Sequence, residues 1–176
     1  MKSISTNILV IFLGALLFIS CSKEEDVNEL PLNEPIQDGS GDKDNDSVTY
    51  NYTKIETETI ALVNTYRVSL GLAALDKIAI MSVEAESHVA YMIEAEKISH
   101  DNFSDRAHYL IENIPAKSVG ENVAAGYRDA ETVVDAWLKS SEHRSVIEDA
   151  SFTHTGISIK TNAVGTKYFV QIFALK

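Results

Sequence analysis

The stretch GISIKTNAVGTKYFVQIF, residues 156–173, decides the fold class. Gly156-Ile157-Ser158-Ile159-Lys160 alternates between faces, the period of a half-buried strand. Tyr168-Phe169-Val170-Gln171-Ile172-Phe173 does so in part. Thr161 to Thr166 lies between them and is turn-like, so the segment predicts a β-hairpin with a loop longer than two residues.

Upstream of the hairpin the period changes to that of helices. Ile55, Leu62, Val63, Tyr66 and Leu70 share one helical face, and Gly71 follows as a stop, which predicts a helix over about 55–70. Met81, Ala85, His88, Val89 and Met92 form the stripe of a second, over about 77–97. Ser104 is placed to cap a third, running through Ala107, Leu110 and Ile111 to Pro115. Asp129 is placed to cap a fourth that carries Val133, Val134, Trp137 and Leu138. Ser141 starts a short helical turn through Ile147, and Ser118–Ala125 reads as a further strand. Helices gathered before antiparallel strands predict an α+β domain with helices packed on a small sheet.

Composition limits what this domain can do. The chain has 176 residues and a net charge of −11, a poor match to a phosphate backbone, so nucleic acid is not an expected partner. The single cysteine excludes an intrachain disulfide and a four-cysteine zinc site. The charge is unevenly spread. Residues 22–53 hold two lysines and nine acids, a balance of −7, whereas residues 54–176 carry only −5.

The N-terminus reads as an export signal. Met1-Lys2-Ser3 carries one positive charge, and residues 8–19 are apolar or small throughout. Twelve such residues fall short of the roughly 20 that span a bilayer, so residues 1–20 are expected to be a secretory signal peptide. Leu17-Phe18-Ile19-Ser20-Cys21 resembles a bacterial lipobox, with Phe18 where an aliphatic residue is common. Cys21 is therefore the expected lipidation site, and two or more acyl chains would anchor the protein stably. Ser22-Lys23-Glu24-Glu25-Asp26 resembles signals that carry lipoproteins to the outer face of the outer membrane. Residues 22–53 include Pro31 and Pro35 and show no helical or strand period, so 21–53 is expected to be a lipidated cysteine and a disordered acidic tether. Asp42, Asp44 and Asp46 resemble the start of a calcium loop, but Ser47 and Thr53 stand where Gly and Glu are needed.

Five histidines lie in the folded part: His88, His100, His108, His143 and His154. There is no HExxH pattern, no GxSxG elbow and no glycine-rich phosphate loop. His100, His143 and Glu121 sit at the predicted ends of elements, where functional side chains concentrate. Two imidazoles and a carboxylate can hold a divalent metal with an open position, or work as acid and base. His88 lies on an apolar stripe and favours an interior role over a cleft role, His108 favours the surface, and His154 fits either. Asn64 and Arg67, one turn apart, are expected to make structural hydrogen bonds, and Trp137 to pack in the core.

The ordered motifs resemble the CAP superfamily of cysteine-rich secretory, antigen 5 and pathogenesis-related proteins, in its bacterial, disulfide-free branch. The resemblance runs through Leu62-Val63-Asn64-Thr65-Tyr66-Arg67, Gly71-Leu72-Ala73-Ala74-Leu75, His88 with Met92, and Ile98-Ser99-His100. It continues through Gly120-Glu121-Asn122, Trp137 with Ser140 to Arg144, Phe152 to Ile157, and Tyr168 to Phe173. It implies an α-β-α sandwich over 54–176, with a central antiparallel sheet between helical layers. It also implies a shallow cleft holding His100, His143 and Glu121, with the two histidines as ligands to a divalent metal such as zinc. The sequence departs from bacterial relatives at Ser141-Glu142, where Pro-Gly is common, and Ser140 stands where eukaryotic relatives carry a second glutamate. The function expected is a surface-anchored, non-catalytic extracellular module that binds a lipid, glycan or protein. The alternative is a metal-assisted hydrolase built on the same cleft.

Overall fold

The computed structural model describes residues 48–176. The expected signal peptide, Cys21 and most of the tether lie outside them. The elements run α1 (Lys54–Ser69), β1 (Asp76–Lys77), α2 (Ala79–Glu94), α3 (Phe103–Asn113), β2 (Ser118–Ala125), α4 (Ala130–Lys139), α5 (Ser141–Glu148), β3 (His154–Thr161) and β4 (Lys167–Leu175). The sheet order is β1-β3-β4-β2. β4 pairs antiparallel with both β3 and β2, while the two-residue β1 pairs parallel to the start of β3. Two residues are too short to show a period, so β1 was not legible in the sequence.

β4 explains the sandwich. It is buried on both faces, so it reads as a nearly continuous apolar run. Tyr168, Val170, Ile172 and Ala174 enter one core with Met81, Ala85, Val89 and Met92 of α2 and Leu110 of α3. Phe169 and Phe173 enter the other with Ile60 and Val63 of α1, Val133 and Trp137 of α4, and Ile147 of α5. An α-β-α sandwich follows, as the resemblance implies. β3 and α2 approach so closely that a Cβ on Gly156 would lie 2.4 Å from Met81 Cβ and 2.5 Å from the Ser82 nitrogen.

Local signals set the helix ends. Thr53 and Glu56 form a reciprocal capping box on α1, and Asp129 caps α4 as expected, with Thr132 completing the box. Ser140 ends α4 and caps α5 through the His143 amide. The cap expected at Ser104 is not used. Asn102, in the left-handed region at φ 59°, precedes α3, which starts at Phe103. The α3 stripe is also rotated from the expected one: Arg106 and Leu110 are buried, while Ile111 is exposed.

Asn64 and Arg67 do the structural work expected of them. Asn64 bonds both the carbonyl and the amide of Leu75. Arg67 is fully buried and donates to the carbonyls of Ala73, Ile147, Asp149 and Phe152. Residues 48–53, assigned to the tether by composition, pack on the domain. Val48 contacts the α2-side core, and the Tyr50 hydroxyl donates to Glu56 and accepts from Ser158.

Candidate functional site

His100 and His143 line one open cleft of about 430 Å³. His100 comes from the segment between α2 and α3, and His143 from the first turn of α5. Ile98, Tyr127 and Trp137 supply apolar walls, residues 123–125 of β2 supply an edge, and Ser140 and Glu142 complete the polar lining. Asn122, buried on β2, donates to the His143 carbonyl at 3.1 Å and ties the start of α5 to the sheet.

Glu121 occupies a different place from the one expected. It does not line the cleft; its side chain is 1% exposed and lies behind His100. His100 Nδ1 donates to Glu121 Oε1 at 2.8 Å. Arg106 meets the same carboxylate through Nε at 3.0 Å to Oε2 and Nη2 at 2.9 and 2.8 Å to the two oxygens. His88 Nε2 stands 4.0 Å from Oε1 and donates to the Ser99 carbonyl at 2.7 Å, so it is an interior residue fixing the segment that carries His100. Burial holds its imidazole below the usual histidine range. Glu121 therefore orients His100 from beneath, and its charge is met by Arg106.

This support sets the chemistry of both rings. A carboxylate only accepts, so Nδ1 of His100 carries the proton of this bond. A histidine that donates its second ring N–H to a carboxylate is arranged as metal-ligating histidines are. His143 Nδ1 is 2.8 Å from Ser140 Oγ. Burial, and secondly the nearby His100, hold the His143 imidazole below the usual range, so it is neutral at pH 7. Neither Nε2 has a hydrogen-bond partner among the described residues. Among the described residues no three His, Cys, Asp or Glu side chains gather as a closed metal site requires. His100 and His143 are the two imidazoles on this cleft that could serve as metal ligands.

His108 is exposed, as expected, and among the described residues pairs with Glu112. His154 bonds Thr153 at the start of β3 and does not line the cleft. Trp137 is buried in the core as expected, yet its edge also walls the cleft. Arg106 was missed. Its one available signal is the i, i+4 register with Leu110, which places it on a buried face and demands an acid nearby.

A helix–sheet–helix domain with paired imidazoles in an open cleft defines the class of protein. Residues 60–173 match the family model described as CAP, the cysteine-rich secretory protein family, and the chain belongs to that family. It is 31% identical over 124 residues to the uncharacterized membrane protein YlbC of Bacillus subtilis, covering 69% of this chain and 34% of that one. The chain thus spans about a third of that relative's length. An outer surface protein of Borrelia burgdorferi shares the fold at TM-score 0.64 and 21% identity, covering 72% of this chain and 96% of that one. NaASP2, solved with Zn2+, aligns at TM-score 0.54 and 11% identity, covering 69% and 80%.

Proposed function

We propose that this chain is an exported protein, anchored at the outer membrane and cell surface through lipidated Cys21. Its CAP domain binds an extracellular ligand in the cleft without turning it over, and His100 and His143 hold a divalent metal such as zinc there. One observation carries the reading: both imidazoles border one open cleft, and each is held at Nδ1 with Nε2 left over. A metal bound by the two rings supplies a Lewis-acid contact for an oxygen-bearing ligand. The surface location rests on the lipobox-like sequence at Cys21 and on likeness to a protein named for the outer surface of Borrelia burgdorferi.

The hydrolase alternative asks Glu121 to take a proton in the cleft. A buried carboxylate whose two oxygens face Arg106 and His100 is poorly placed for that, which favours binding over turnover. Zinc titration by calorimetry tests the metal site. The full chain should bind one zinc, and the variant combining His100→Ala with His143→Ala should bind none. No heat from the wild type, or equal binding by the variant, overturns the site.

A further inference from the structure

The two edges of the sheet are treated differently. The β3 edge is closed. β1 covers its start, Ser82 Oγ accepts from the Ile157 amide at 3.0 Å, and Glu56 Oε1 accepts from the Ile159 amide at 2.8 Å. Such closure is how native sheets avoid pairing with another chain. Among the described residues the β2 edge carries one such cap, the Trp137 indole on the Val123 carbonyl.

Register shows which β2 groups are open. Gly126 donates to Lys167 at 2.9 Å, so even-numbered residues of β2 bond β4, and odd-numbered ones turn their amides and carbonyls outward. Trp137 Nε1 reaches the Val123 carbonyl at 3.4 Å, as that parity requires. The Val123 amide, the Ala125 amide and the Ala125 carbonyl form no hydrogen bond among the described residues. All three belong to residues that line the cleft. Residues 123, 124 and 125 all line it, although Val123 packs in one core and Ala124 in the other. Consecutive strand residues with side chains on opposite faces share only the strand edge.

We infer that the cleft takes its ligand as an extended peptide segment, added antiparallel to the β2 edge at Ala125, with the Val123 amide as a further donor. The inference rests on the cleft being a binding site, and it names the ligand class. Amides two residues apart repeat at about 6.8 Å, the spacing of a strand's own hydrogen-bonding groups. An acyl chain leaves those groups unmet, and a glycan does not share the repeat. Strand addition takes affinity from the main chain and specificity from pockets for alternate side chains. The lining mixes apolar Ile98, Tyr127 and Trp137 with polar Ser99, His100, Ser140, Glu142 and His143, so a segment that alternates apolar and polar side chains fits.

The test is a random octapeptide phage library selected on the full chain, with the enriched peptide then synthesised. Methylating its backbone nitrogens one at a time should weaken binding tenfold or more at every second residue and little between. Ala125→Pro removes an amide that takes no part in the ladder, so its melting temperature should hold while peptide affinity falls tenfold or more. If Ala125→Pro melts early, the methylation series on the wild type decides. No enriched peptide, methylation effects without a period of two, or full affinity in a well-folded Ala125→Pro overturns strand addition. Tyr127→Ala separates the two levels. If it weakens peptide binding while methylation and Ala125→Pro do not, the cleft stands and strand addition falls. If no cleft substitution affects the peptide, both fall.

Discussion

Replacing Arg106 by Met leaves the Glu121 carboxylate buried without its cation. Three nitrogen–oxygen contacts of 2.8–3.0 Å disappear, from side chains 8% and 1% exposed. The bond from Arg106 Nη1 to the Asp101 carbonyl goes with them. Breaking a buried pair from one side costs about 3–5 kcal/mol, because the remaining charge stays desolvated. That is a large share of the roughly 5–15 kcal/mol that holds a domain folded. The reverse also follows: adding Glu121→Gln removes the stranded charge while an amide oxygen still accepts from His100. The double variant should recover about 2 kcal/mol or more of the loss. Urea denaturation followed by fluorescence reads this directly, since the single tryptophan, Trp137, is 1% exposed and reports loss of the core. Lys139→Met, at an exposed pair with Asp135, is the control and should leave the midpoint nearly unchanged. A loss under about 1 kcal/mol for Arg106→Met refutes the buried-pair reasoning. So does a double variant no more stable than the single one.

Three further outcomes are expected. Gly156→Ala should destabilise the domain by about 3 kcal/mol or more, because its Cβ meets α2 backbone rather than a flexible side chain; a milder cost in thermal melts contradicts that approach. His88 and His143 both titrate below the usual histidine value of 6.5. Unfolding therefore takes up protons, and stability present above about pH 6.5 should fall as pH drops below it, less steeply in His143→Asn. A urea midpoint flat from pH 7 to 5 contradicts this. Cys21→Ser should move the protein from the membrane to the soluble fraction on cell fractionation, and continued membrane association refutes the anchor.

Much of the fold was legible because its elements are locally consistent. The cap at Asp129 and the stripes of α2 and α4 each carry their own signal, whereas of the stripe expected for α1 only Val63 is fully buried and Leu70 is exposed. What escaped was set by tertiary contact. β1 exists only because β3 lies beside it. α3 turns Arg106 inward, against its polarity, because Glu121 waits there. The same holds for the site. Family motifs pointed to His100, His143 and Glu121, and spacing alone did not bring them together. No one-dimensional pattern shows that a glutamate on β2 lies under a histidine 21 residues earlier rather than beside it in the cleft. Nor does a pattern show that a serine at the α4–α5 junction both caps a helix and holds His143.

The most direct test of the paired-imidazole cleft is a crystal of the protein grown with zinc and measured at the zinc absorption edge. One anomalous peak is predicted about 2.0–2.1 Å from Nε2 of both His100 and His143, with Nδ1 of His100 still on Glu121. A peak that touches only one of these rings, or lies elsewhere on the protein, contradicts it.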